Sequence, residues 1–110
     1  MSYASYTRLR FYVGESDRID GDPLFERIVR EARDHAMSGA TVLKGMMGFG
    51  VHSEIHTAKI LRLSENLPVI VEVIDTPDKI DAFLGVIETI VGQGMVTREN
   101  IEARIFRTGS

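Results

Sequence analysis

The most constraining stretch of the chain is Leu67-Pro68-Val69-Ile70-Val71-Glu72-Val73-Ile74-Asp75, which runs directly into Thr76-Pro77-Asp78. In an extended chain Val69, Val71 and Val73 point one way and Ile70, Glu72 and Ile74 the other, because successive side chains alternate. One charge in the six residues from Val69 to Ile74 leaves both sides largely dry, so the strand needs cover on two faces. Pro68 has no N–H to give to a ladder and marks the strand's start or an edge. Thr76-Pro77 then opens a helix. Proline in a first turn sacrifices no hydrogen bond, and Asp78 suits the positive end of the helix dipole. A dry strand followed at once by a helix calls for a layered packing of sheet against helix.

The remaining segments supply the layers. Met1–Ser5 reads as a loose arm. From Tyr6 to Val13 the chain alternates, with Thr7, Leu9, Phe11 and Val13 on one side and Tyr6, Arg8, Arg10 and Tyr12 on the other, which predicts a strand. Gly14 to Gly21 is a polar loop. Asp22-Pro23 is expected to cap a helix whose apolar face carries Leu24, Phe25, Ile28, Val29, Ala32 and Ala36, with Gly39 as its left-handed stop. Ala40 to Met47 predicts a second strand, with a bulge at Gly45. Thr57 to Leu63 reads as extended, and Ser64-Glu65-Asn66 as a turn. Beyond Thr76, Ile80, Phe83, Leu84, Ile87, Ile90 and Val91 form the stripe of a second helix, which Gly92 and Gly94 end. Thr97 to Phe106 is expected as the closing strand, with Ile101, Ala103 and Ile105 inward and Glu102, Arg104 and Phe106 outward.

This order, β-α-β-β-α-β, predicts one α+β domain over residues 1–110. It is a ferredoxin-like sandwich with a four-stranded antiparallel sheet and two helices on one face. The other face would carry Arg8, Arg10, Tyr12, Ile70, Glu72, Ile74, Glu102, Arg104 and Phe106. Apolar area of that size beside arginine and aromatics marks an interface. Self-association through it is expected, with Arg8 or Arg10 paired to Glu72 or Glu102.

Composition narrows the partners. A net charge of −3 over 110 residues lacks the basic footprint that a nucleic-acid backbone demands. With no cysteine, disulfide staples and thiolate chemistry are excluded. Residues 1–11 hold no apolar leader core, and no apolar run is long enough to span a bilayer, so the expected location is cytoplasmic.

The chemistry-bearing residues cluster around glycine. Gly45, Gly48 and Gly50 fall close together, with Phe49 between the last two. Such a loop can offer bare N–H groups to a phosphate, or it can be a tight turn without a ligand. Lys44 precedes it and can face a phosphate or guard an edge strand. His52 and His56 flank Glu54 and are four apart. That spacing makes a metal site on a helix, but the segment reads as a loop. An acylphosphatase-like enzyme of this topology needs an arginine on its phosphate loop, where this chain has Val51 and His52. No nucleophile–base pair is evident, so catalysis is not expected.

Gly48-Phe49-Gly50 followed by Asn66-Leu67-Pro68-Val69-Ile70-Val71-Glu72-Val73-Ile74 resembles the PII signalling proteins, as do Ile87-Glu88-Thr89-Ile90 and Arg107-Thr108-Gly109. The likeness is closer to a branch of PII-like proteins known as a domain of unknown function. Its blocks are found here as Gly39–Val42, Gly48–Gly50, Ile55–Thr57, Leu63–Pro68 and Gly94–Thr97. The resemblance implies a homotrimer and a small effector, an adenine nucleotide, bound in clefts between subunits. Gly48, Phe49, Gly50, Gly92 and Gly94 would supply backbone contacts, and Arg107 would be a phosphate counter-charge. From the residues themselves, Lys44 and His56 are further candidates to face phosphate, His56 alternatively meeting the neighbouring chain, and Arg104 is a candidate one register off the family's matching arginine, a slip that turns a side chain to the other face. Binding would order the loop Val51–Ala58, which would touch a partner such as a membrane transporter or channel. Gly92-Gln93-Gly94 lacks a lysine, which favours AMP or ADP over ATP. The alternative is a metal-ion-handling trimer of the same fold that uses His52 and His56.

Overall fold

The structure, a computed structural model, describes residues 2–49, 56–57 and 66–106. The chain forms β1 (Ala4–Gly14), two short pieces β2 (Arg18–Ile19) and β3 (Asp22–Pro23), and helix α1 (Leu24–Asp34). Then come β4 (Gly39–Lys44), β5 (Met47–Gly48), β6 (His56–Thr57), β7 (Pro68–Asp75), helix α2 (Pro77–Ile87) and β8 (Met95–Ala103). The long strands make one antiparallel sheet in the order β4-β7-β1-β8. Both helices lie on one face of it, as the periodicities require for a ferredoxin-like sandwich.

The dry strand is central. The valines of β7, with Leu9, Phe11 and Val13 of β1, pack under Leu24, Ile28 and Ala32 of α1 and Ile80, Phe83 and Ile87 of α2. Phe11 meets Phe83 edge-on at 6.4 Å between centroids, a favoured aromatic geometry. The helix stripes therefore fill the face that the alternation of β1 and β7 leaves apolar.

Several local expectations are corrected. The N-cap of α1 is Pro23 and makes no side-chain cap bond. Asp22 instead accepts a hydrogen bond from Arg30 at 2.9 Å. The left-handed stop of α1 is Ala36 (φ 56°), not Gly39. Met37 N–H donates to the Ala32 carbonyl and Ala36 N–H to that of Arg33, which is the bond pair of a Schellman motif. Gly39 is thereby free to begin β4. Gly45 is no bulge. It ends β4, and its N–H donates to the Pro68 carbonyl at 2.7 Å. Helix α2 stops at Ile87, short of Gly92, and Ile90 and Val91 fold back onto the Ile87 carbonyl. Of the extended segment Thr57–Leu63, only Thr57 falls within the described residues, paired with Met47.

The closing strand is turned over. β8 pairs Arg8 with Glu99, Arg10 with Thr97 and Tyr6 with Ile101, and directly opposed residues share a face. Ile101 and Ala103 therefore lie on the open face, and Arg98, Asn100 and Glu102 on the helix face. Arg98 confirms this by binding Asp81 of α2 at 2.6 Å. Arg104 and Phe106 follow the strand's end instead of lining the sheet; the Arg104 guanidinium lies 5.1 Å from the Phe106 ring centroid.

Candidate functional site

The open face holds a charge network where the sequence places Arg8 and Arg10. Arg10 Nε donates to Glu72 at 3.0 Å, and Arg8 Nη2 donates to Glu99 at 3.1 Å. Arg10 also lies 3.7 Å from Glu99. The expected Arg10–Glu72 pair is present within one chain, and Glu99 takes the place given to Glu102. The bond to Glu72 raises the Arg10 guanidinium above its usual value, against the opposing effect of desolvation. Beside this network a row of Leu43, Ile70, Tyr12 and Met95 crosses all four strands. Its outer members, Leu43 and Met95, are exposed.

The glycine residues gather at the end of the sheet where β1 finishes. Gly48 pairs with His56. A Cβ on Gly45 would meet the Pro68 ring at 2.7 Å, and one on Gly48 would meet it at 3.1 Å. Both glycines thus have a packing reason that needs no ligand. Phe49 is 69% exposed. Lys44 belongs to the same end, but its ammonium is 2.6 Å from Glu15. That carboxylate comes from the loop after β1, whose Ser16 N–H donates to the Asn66 side chain at 2.7 Å. Glu15 N–H in turn donates to the Leu67 carbonyl. The segment leaving β4 and the segment entering β7 are therefore both tied to Gly14–Asp17.

Gly92 and Gly94 rim a cavity of about 240 Å3 between the end of α2 and the strands β1 and β8. Its apolar lining residues are Phe11, Val13, Leu84, Ile87, Val91, Met95 and Val96, and among the described residues Glu88 and Gln93 are the polar ones that line it. Gly94 has φ 104°, and a Cβ there would lie 2.7 Å from the Tyr12 carbonyl, so this turn requires glycine. Sequence reasoning missed this cavity. The signal was Val96, an apolar residue opposite Phe11 that lies beyond the reach of a helix ending at Ile87.

These residues do not converge within one chain. Lys44 and Gly48 lie by the β4 edge, whereas Gly92 and Gly94 lie by the β8 edge. Arg104 lies at the other end of the sheet, because Ala103 pairs with Ala4 while Met95 pairs with Tyr12. At about 3.4 Å per residue, β1 separates those ends by roughly 27 Å. Gly50, His52 and Arg107 lie outside the described residues, and so does most of the loop Val51–Ala58; His56 is described in its backbone alone. Among the described residues no group of three or more His, Asp or Glu side chains gathers to hold a metal. Among the described residues no helix is long and apolar enough to cross a membrane.

Solved structures share this architecture at low sequence identity. CPII, a nitrogen regulatory PII-like protein from Thiomonas intermedia K12 solved with ADP, AMP and bicarbonate, superposes with a TM-score of 0.67 at 10% identity. The match covers 94% of this chain and 100% of that one. The divalent ion tolerance protein CutA1 from Ehrlichia chaffeensis gives 0.56 at 12% identity, over 94% and 85%. Sequence relatives are nearer. A UPF0166 protein from Aquifex aeolicus is 35% identical over 96 residues, 86% of this chain and 89% of its own. Another from Methanocaldococcus jannaschii is 36% identical over 89 residues, 80% and 82%. Residues 6–103 match the family DUF190, described as "Uncharacterized ACR, COG1993". The chain therefore belongs to the DUF190 family and has a PII-like fold.

Proposed function

We propose that this chain is a PII-like regulatory protein, not an enzyme. It assembles as a homotrimer and binds an adenine nucleotide, AMP or ADP in preference to ATP, in clefts between subunits. The observation that carries this reading is the scatter of the residues proposed to face the ligand over opposite edges and ends of one sheet. Lys44 and Gly48 of one copy can meet Gly92 and Gly94 of another only where a β4 edge lies beside a β8 edge. The open face, with its apolar row and its arginine network, supplies a surface for such contact. The nucleotides named for CPII support the ligand class. Binding would favour one arrangement of the loop Val51–Ala58, and a partner such as a membrane transporter or channel would read that arrangement. This requires the partner-competent state to bind the nucleotide more tightly.

A thermal-shift panel of AMP, ADP, ATP, cyclic nucleotides and divalent metals, run beside light scattering, tests the proposal. A ligand at 100 times its dissociation constant stabilises by about 2.7 kcal/mol. AMP or ADP should raise the melting temperature, and Gly50→Val should abolish that response without dissociating the trimer. A response to metal alone, lost in His56→Ala, would replace this reading with the metal-handling one.

A further inference from the structure

The loop after β1 holds a carboxylate against the edge strand β4. The loop is closed on itself: the Gly14 N–H donates to the Asp17 carboxylate at 2.8 Å, and the Asp17 N–H donates to the Gly14 carbonyl at 3.1 Å. A Cβ on Gly14 would lie 2.7 Å from the Asn66 side chain, so glycine lets the two segments touch. The Glu15 N–H then donates to the Leu67 carbonyl, and the Ser16 N–H to the Asn66 side chain. On the opposite side Gly45, which follows Lys44, is fastened to the Pro68 carbonyl. Glu15 and Lys44 therefore meet at 2.6 Å from two anchored backbones. An ion pair between anchored segments forfeits less conformational freedom than one between loose ones.

This contact opposes a phosphate. The Lys44 side chain is 54% exposed, so an incoming anion can reach its ammonium. A carboxylate and an ionised phosphate both only accept hydrogen bonds, and two anions drawn to one ammonium repel each other. We propose that Glu15 is an internal competitor for Lys44, and that the phosphate of a bound nucleotide displaces it. Glu15 then sets the affinity of the site. Its departure also removes the side-chain tie on the β4 side of the connection, while Asn66 and Leu67 keep the β7 side fastened, which links ligand binding to the loop. The inference rests on the nucleotide reading above and adds a regulating residue to it.

Calorimetric titration of the full chain with ADP tests it, in a double-mutant cycle of Glu15→Gln and Lys44→Met. Glu15→Gln should tighten ADP about fivefold, the upper end for a partly exposed ion pair. Lys44→Met should weaken ADP by about as much. In the double variant the gain should vanish, leaving the affinity within about 1.5-fold of Lys44→Met alone. Unchanged ADP affinity in Glu15→Gln would overturn this inference alone, as would an unchanged affinity in Lys44→Met. A fivefold gain that persists beside Lys44→Met would overturn it too, because Glu15 would then act without Lys44. Absence of ADP binding by both the wild type and Glu15→Gln would overturn this inference together with the nucleotide reading.

Discussion

Asp75 shows how much one side chain can organise. It is buried where β7 gives way to α2, and burial pushes its carboxyl up. That push is outweighed by N–H donors from Thr76 at 2.7 Å and Ser38 at 2.8 Å, by the Ser38 hydroxyl and by Lys79, which together hold it below its ordinary value. A carboxylate lowered in the folded state adds stability above its unfolded value of about 3.9 and loses it as pH falls through the folded one. Urea midpoints should therefore drop between about pH 4 and the lower folded value. Asp75→Asn should flatten that drop, and an unchanged slope would exclude Asp75 as its source. Ala36 is a second such residue, an alanine in a left-handed position that suits glycine. Ala36→Gly should stabilise by about 0.5–1 kcal/mol, read by urea unfolding. Neither role was legible in the sequence. Gly39 looked like the helix stop because only a glycine announces a left-handed turn, yet the backbone placed that turn at Ala36.

Among the elements, legibility followed hydrophobic contrast. β1 and β7 alternate cleanly, and their buried sides came out as the pattern requires. β8 does not alternate: Val96, Thr97, Arg98, Glu99, Asn100 and Ile101 give no clean period of two, and the strand lies at an edge where neither face is fully covered. Only its pairing with β1 assigns its faces, and a slip of one residue reverses them all. Glu102 was misplaced for that reason, whereas Arg104 and Phe106 were misplaced because the strand ends at Ala103. The turn before β8 yields a sharper expectation. Gly94→Ala puts a methyl against the Tyr12 carbonyl at φ 104°, and should cost roughly 1–3 kcal/mol in unfolding free energy. The same measurement on Gly92→Ala should show a smaller loss, because a Cβ at Gly92 meets nothing within 4 Å.

At the scale of the whole molecule the open face decides whether the proposed clefts exist. Light scattering should give the mass of three chains of 12.3 kDa each. Tyr12→Asp, which sets a charge in the apolar row, should return the single-chain mass while far-ultraviolet circular dichroism stays unchanged. A stable single chain in the wild type would remove the proposed function. The candidate site was less legible than the fold because its members lie on different edges and ends of the sheet, where no spacing along the chain brings them together. The bond from Gly45 to Pro68 has an effect of its own. It closes the β4-to-β7 connection at its neck, beside the ties from Lys44, Asn66 and Leu67 to the loop after β1. Ring closure costs grow only with the logarithm of contour, about 0.6 kcal/mol per doubling. A longer or shorter connection therefore changes the cost of closure little, and altering its length should leave the scaffold's unfolding free energy within about 1 kcal/mol.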